Sequence, residues 1–197
     1  GDVFSLMDTL KLDRAHIVGQ SMGGMIAQAM AALRPERLGS LNLIYTAPRI
    51  DTAYFTNAPE SRSTGWPPPR YERAKAIKVF LERERISAST GYPWDETWAR
   101  HMAETYYDRC YAPDGNARQS TAIGRWKPQP EALQALTIPS SVIHGRADCH
   151  ISAQAALDLG ELLGKSEVRI YPGMGHELVV ELMPEYVATI ARTVARA

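Results

Sequence analysis

The sequence predicts an α/β protein of three layers, in which a parallel sheet of about four strands is covered by helices and interrupted by a helical lid insertion. Three observations predict it. Short apolar runs alternate along the chain with stretches of helical periodicity. One of those runs, Leu38–Tyr45, is near-continuously apolar, as a strand buried on both faces requires. Between the second and third runs lies a long segment whose prolines and aromatics set it apart.

Residues 1–12 read as an amphipathic helix, because Val3, Leu6, Met7 and Leu10 recur at helical spacing. Leu12-Asp13-Arg14 then turns into a first strand, Ala15–Gly19. Met22–Leu33 is a helix apolar on nearly all sides and therefore predicted to be buried. Gly23, Gly24 and Ala27 let it lie close to the sheet, and Arg34-Pro35 ends it. Leu38–Tyr45 is the second strand.

From Thr46 to about Pro130 the character changes. Pro48, Pro59 and Pro67-Pro68-Pro69 break the chain, and helices are predicted over Tyr71–Ile86, Asp95–Cys110 and Gly115–Arg125. This stretch carries Trp66, Trp94, Trp98, Tyr106, Tyr107 and Trp126, and it reads as a lid over a site rather than a separate domain. Used otherwise, the same aromatics glue the insertion to the core. Ile138–His144 is the third strand. Ser152 is placed to cap a helix that runs to about Leu163 and stops at Gly164. Glu167–Tyr171 is the fourth strand, Pro172–His176 a loop, and Pro184 begins a last helix with Val187, Ile190 and Val194 facing in. The organisation is thus a core in two parts, 1–46 and 131–197, around the insertion 47–130.

Bulk properties narrow the function classes. The 197 residues are 45% hydrophobic, enough for one globular domain with a substantial core. Lys+Arg and Asp+Glu each number 22, so no long-range field favours nucleic acid or an anionic membrane as partner. The charged stretch Lys75–Arg85 reads as a solvated helix face. Cys110 and Cys149 make neither a disulfide framework nor a zinc-ligand spacing. No apolar run approaches the ~18 residues of a membrane span. The chain opens with Gly1-Asp2 inside a helix, so the lack of a leader says nothing about compartment. The cytoplasm is the favoured one.

The chemistry centres on Gly19-Gln20-Ser21-Met22-Gly23. Glycine and serine are each near 7% of residues, so bare Gly-x-Ser-x-Gly arises by chance in roughly 6–7% of chains this long. Its context is more telling: a strand, a very tight turn with serine at the apex, and a helix. Such a turn strains Ser21 and asks for bare residues at Gly19 and Gly23, and it lifts the hydroxyl clear of the sheet. The helix N-terminus offers backbone N–H groups to a developing negative charge. A phosphate-binding turn is the bland alternative, but Gly-x-Gly-x-x-Gly and a Walker lysine are both missing.

The other reactive candidates also follow strands, where a parallel sheet presents its functional groups. Asp148 lies after the third strand and His176 after the fourth, giving the order Ser…Asp…His. A serine hydroxyl needs an imidazole to take its proton, and the imidazole needs a carboxylate to fix its tautomer. Met22 N–H, directly after the serine, is the expected oxyanion donor. Gln20, Trp94, Trp98 and Trp126 are candidate substrate contacts. His150 as base and Asp51 as acid are competing assignments. A metal set of His144, Asp148, Cys149 and His150 lacks a spaced second ligand pair. His16 and His101 read as structural or solvated.

Through the elbow, His144–Asp148 and Pro172–His176, the chain resembles the α/β-hydrolase superfamily over essentially its whole length. Within it, Ser89-Thr90-Gly91-Tyr92-Pro93-Trp94-Asp95 and Tyr107-Asp108-Arg109 resemble a carboxylesterase group that includes aclacinomycin methylesterase-like proteins. The resemblance implies ester hydrolysis through an acyl-enzyme, with no cofactor, on a small, uncharged, fairly apolar substrate. Thioester or C–C bond hydrolysis uses the same residues, and a non-catalytic ligand-binding module on this scaffold is the alternative from another class. Two departures stand out. Family members carry further strands before the elbow, and a loop after one of them supplies a second oxyanion donor. The chain accordingly reads as the C-terminal part of a longer protein, with Ala15–Gly19 a bare edge open to self-association. Loss of one oxyanion donor costs ~10²–10³ in rate. The second departure is Cys149-His150 after the acid, where proline and an apolar residue are more usual.

Overall fold

A computed structural model describes residues 1–55 and 69–197. Its centre is one sheet of four parallel strands in the order β1-β2-β3-β4: Ala15–Gln20, Leu38–Ile44, Ser140–Gly145 and Ser166–Tyr171. β1 registers Gly19 on Leu43, β2 registers Leu43 on Val142, and β3 registers Gly145 on Tyr171. All strands therefore end on the same side, which gathers the loops after them at one rim. The fold class matches the sequence prediction.

β2 and β3 are buried along their whole length because helices cover both faces. One face carries Leu41, Leu43 and Val142. Against it pack α1 (Asp2–Thr9), α2 (Met22–Leu33), α6 (Pro130–Gln134) and α7 (Gln154–Leu162), through Phe4, Met7, Met30, Ala31, Leu133 and Leu159. The opposite face carries Ile44 and Ile143 and is covered by α8 (Met183–Val194) through Tyr186, with Met174 and Leu182 beside it. The polar exception inside β2, Asn42, is satisfied: its amide donates to Ile17 O and Ser40 Oγ and accepts from Ser141 Oγ.

Three helices, α3 (Arg73–Ser87), α4 (Glu96–Cys110) and α5 (Asp114–Arg125), lie between β2 and β3 where the sequence predicts them. Asp95 caps α4 by accepting from Trp98 N–H at 2.8 Å. α3 buries only Ile77, in keeping with a solvated Lys75–Arg85 face. Pro59, Trp66 and Pro67–Pro68 lie outside the described residues.

Several expectations need correction. α1 buries Phe4 and Met7, while Val3, Leu6 and Leu10 stay exposed. α2 is buried on one side only, leaving Ile26 and Leu33 in solvent. α8 buries Tyr186, Thr189 and Thr193, leaves Ile190 and Val194 half-buried, and exposes Val187 at 64%. The buried threonine is tolerated at 193 because its Oγ1 donates to the Thr189 carbonyl within the helix. Ser152 does not occupy the cap position. α7 starts later, and Ser152 Oγ accepts from Gln154 N–H at a long 3.3 Å. Pro130–Gln134 forms a short helix, α6, that the sequence reading missed. No helix among the described residues is long and apolar enough to cross a membrane.

Candidate active site

Ser21 sits at the turn between β1 and α2 with φ 49° and ψ −122°, a conformation that L-residues rarely adopt. What holds it there is visible in the surrounding bonds. Ser21 N–H donates to Ile44 O at 2.9 Å, extending the β1–β2 ladder into the turn. Thr46 Oγ1 donates to Ser21 O at 2.8 Å from the loop after β2. Gly19 is required by close approach, since a Cβ there would lie 2.4 Å from Gly23 O. Gly23 is different from expectation. A Cβ on it would meet nothing within 4 Å, whereas one on Gly24 would strike the Thr46 side chain at 2.5 Å. The second bare position the elbow needs is Gly24, because α2 crosses Thr46 there.

The loops after β3 and β4 bring the other two groups to Ser21. His176 Nε2 is 2.9 Å from Ser21 Oγ, and His176 Nδ1 is 2.7 Å from Asp148 Oδ2. With the carboxylate accepting, Nδ1 carries the proton and Nε2 is the acceptor for the serine O–H. Asp148 Oδ1 accepts from the backbone N–H groups of His150 and Ile151, each at 2.8 Å. Burial pushes the Asp148 carboxyl up, but bonds from His144, His176 and Ile151 N–H outweigh it and hold it well below the usual carboxylate range. The buried anion is therefore the stable form.

Met22 N–H stands at the first position of α2, where no preceding turn can accept it. It is the backbone N–H directly after Ser21, at the N-terminus of α2.

The insertion touches this rim through the segment after α3. Ser87 O accepts from His176 N–H at 3.0 Å, Ser89 Oγ accepts from Gly175 N–H at 2.9 Å, and Gly91 N–H donates to Gly173 O at 3.0 Å. The Ser89–Gly91 end of the motif thus grips the histidine loop. Its aromatic end behaves otherwise. Trp94 lies under the Arg85 guanidinium, Trp98 is 53% exposed beside His101, and Trp126 ends α5. No hydrogen bond or ring contact joins these three tryptophans to Ser21, His176 or Asp148 among the described residues. Gln20, in contrast, is at the site: Tyr45 O–H donates to its Oε1 at 2.8 Å.

The competing residues are accounted for. His150 lies edge-on to His176 with ring centroids 5.1 Å apart, and its Nε2 is bonded to Ser87 Oγ, so it does not bridge Ser21 and Asp148. Burial, and then the neighbouring His176, push the His150 imidazole below its usual range. Asp51 pairs with Arg49 and accepts from Ala53 N–H, away from His176. His16 is bonded to Ser40 Oγ. Among the described residues no group of three His, Cys, Asp or Glu could hold a metal. An open groove of about 550 Å³ exists at the other end of the strands, lined by Arg14, Pro35 and Ile138, and is remote from Ser21.

Sequence reasoning missed two neighbours, Tyr45 and Thr46, and weighed a third, His144, only as a metal ligand. His144, fully buried, places Nε2 2.9 Å from Ile151 O and 3.4 Å from Asp148 Oδ2. Tyr45 and Thr46 follow β2 and abut His176 and Ser21. Their place after a parallel strand was the available signal, because that rim is where such sheets present functional groups.

The fold and this rim together define a class. The chain belongs to the α/β-hydrolase family: the model described as alpha/beta hydrolase fold matches residues 2–181. Among curated proteins it is similar to the 2-hydroxymuconate semialdehyde hydrolase of Pseudomonas sp. (strain CF600), at 23% identity over 98% of this chain and 66% of that protein. Among solved structures it is similar to the esterase RhEst1 from Rhodococcus sp. ECU1013, with TM-score 0.74 and 21% identity over 99% of this chain and 70% of that one. It is also similar to the enol-lactonase from Burkholderia xenovorans LB400, with TM-score 0.69 and 24% identity over 99% and 70% of the two chains. The chain spans 66% and 65% of the length of the first two curated relatives it matches.

Proposed function

We propose that the protein is a serine hydrolase that cleaves carboxylic esters of small, uncharged, fairly apolar substrates through an acyl-enzyme, and that it groups with carboxylesterases of the aclacinomycin methylesterase-like kind. The observation that carries this reading is the unbroken hydrogen-bonded chain Ser21 Oγ–His176–Asp148, with distances of 2.9 and 2.7 Å. Ser21 is the nucleophile. His176 Nε2 takes its proton as Oγ attacks the ester carbonyl, and Asp148 stabilises the imidazolium that results. Met22 N–H donates to the tetrahedral oxyanion. His176 then returns the proton to the leaving alcohol, and the same residues run the cycle again with water on the acyl-enzyme.

The helices of 47–130 act as a lid, and the bonds from Ser87, Ser89 and Gly91 to the histidine loop support a lid seated on the base itself. Gln20 is the substrate contact that geometry favours, ahead of Trp94, Trp98 and Trp126. In a second reading the same residues hydrolyse thioester or C–C bonds, and the likeness to a 2-hydroxymuconate semialdehyde hydrolase supports looking beyond simple esters. A fluorophosphonate probe should label Ser21 in the wild type, and Ser21→Ala should abolish both labelling and nitrophenyl-ester hydrolysis. Labelling that persists in the alanine variant refutes the assignment. Comparing esters, thioesters and β-diketones as substrates separates the two readings.

A further inference from the structure

We propose that Tyr45 is a positioning residue whose aromatic ring holds the His176 imidazole in line with Ser21. The inference rests on the reading of His176 as the base.

Tyr45 follows β2 with its N–H bonded to Ile143 O at 2.8 Å, so its backbone is still anchored to the sheet. Its φ is 34°, a value bulky L-residues seldom take. It is only 5% exposed. Packing against Met174 and Tyr186 alone would be met by any large apolar side chain on an ordinary backbone. The unusual backbone achieves something more specific. It carries the ring to the imidazole of His176, at 4.6 Å between centroids and tilted by 52°. It also sends the next residue, Thr46, to bond Ser21 O at 2.8 Å. At the far end of the same ring, the hydroxyl donates to Gln20 Oε1 at 2.8 Å, one residue before the nucleophile. Strain kept where three functional neighbours meet is the pattern expected when conformation serves a site.

The physical need is clear. The Asp148 bond selects the tautomer of His176 but does not by itself fix the plane of the imidazole, which His150 meets edge-on and Tyr45 meets at closer range. An aromatic ring against the imidazole restricts its rotation. Because burial pushes the Tyr45 hydroxyl up, it stays protonated and remains a donor to Gln20. The hydroxyl bond anchors the far end of the ring, while the ring face itself meets the base.

The test compares the full chain with Tyr45→Phe and Tyr45→Leu. Two quantities are read: the rate of fluorophosphonate labelling at Ser21, and the ring-proton resonance of His176, assigned by its loss in His176→Gln. Near-ultraviolet circular dichroism fixes a temperature at which all variants are folded. Tyr45→Phe retains the ring and should label within about threefold of wild type, with the His176 resonance little moved. Tyr45→Leu should label at least ~10-fold more slowly and shift that resonance, as expected for a base displaced by a fraction of an ångström. Wild-type labelling in folded Tyr45→Leu, an unmoved resonance, or equal losses in the two variants overturns the proposal. Should the wild type itself fail to label, the reading of Ser21 fails instead, and the resonance still decides whether Tyr45 sets the imidazole.

Discussion

Gly19→Ala is the substitution for which the structure makes the sharpest demand. A Cβ at this position would lie 2.4 Å from Gly23 O, 2.7 Å from Gly23 C and 2.9 Å from Gly24 Cα, against 3.4 Å for ordinary contact. Every colliding atom is backbone, so no side chain can rotate away. The strand and the first turn of α2 must part by about 1 Å, the shortfall between 3.4 and 2.4 Å. Overpacking typically costs ~1–3 kcal/mol, and the upper end applies where only main chain can yield. At ~2–4 °C per kcal/mol for a chain of this size, about 3 kcal/mol lowers Tm by roughly 6–12 °C. A displacement of ~1 Å in the nucleophile also costs on the order of 10² in rate. Gly23→Ala is the internal control, because its Cβ would enter open space within a helix. It should gain about 0.5–1 kcal/mol. Thermal unfolding of both variants, with fluorophosphonate labelling of Gly19→Ala, tests the pair. Equal destabilisation of the two variants, or a Gly19→Ala protein that melts and labels like wild type, refutes the reasoning.

Further outcomes follow from the same geometry. Gly24→Ala should also destabilise, by ~1–3 kcal/mol, because its Cβ would meet Thr46 Cγ2, Cβ and Oγ1 at 2.5, 2.6 and 2.7 Å; a Gly24→Ala protein that melts like wild type argues against this contact. Asp148→Asn should leave the fold intact and lower the hydrolysis rate ~10⁴-fold, since an amide no longer selects the Nδ1–H tautomer; a loss of tenfold or less would remove Asp148 from the mechanism. The same carboxyl predicts acid sensitivity. Its folded-state affinity for protons is depressed, so its stabilising contribution is complete above the ordinary value of 3.8 and lost as pH falls below it. Unfolding free energies measured from pH 6 to 2 should therefore fall more steeply in wild type than in Asp148→Asn, and parallel profiles contradict this. Finally, β1 has no partner on its outer side among the described residues, and Val18 there is 50% exposed. Concentration-dependent association is expected in sedimentation, with Val18→Lys shifting it toward monomer; a chain monomeric at every concentration speaks against edge pairing.

Periodicity and turn chemistry were local enough to read directly. The end of Met22–Leu33 could be placed to the residue because Arg34-Pro35 follows it, and a proline cannot continue a helix already under way. Ser21, Asp148 and His176 could be named because parallel strands bring their following loops to one rim, whatever the packing between them. The order of elements, and which side chains to look for at that rim, were thus legible in the chain alone. Faces and partners were not. The inward side of α8 was misread because apolar character points to Val187, while the tertiary groove selects Tyr186 for Tyr171 and Met174. The need for Gly24 rather than Gly23 arises from Thr46, more than twenty residues away and meaningless to the elbow until β2 pairs with β1. The placing of Tyr45 against His176, and of Ser87 beneath its backbone, likewise depends on loops meeting across the sheet. Local sequence decides what each residue can do. Only the folded chain decides which distant atoms stand near enough to let it, because those distances are set by the packing of layers and not by separation along the backbone.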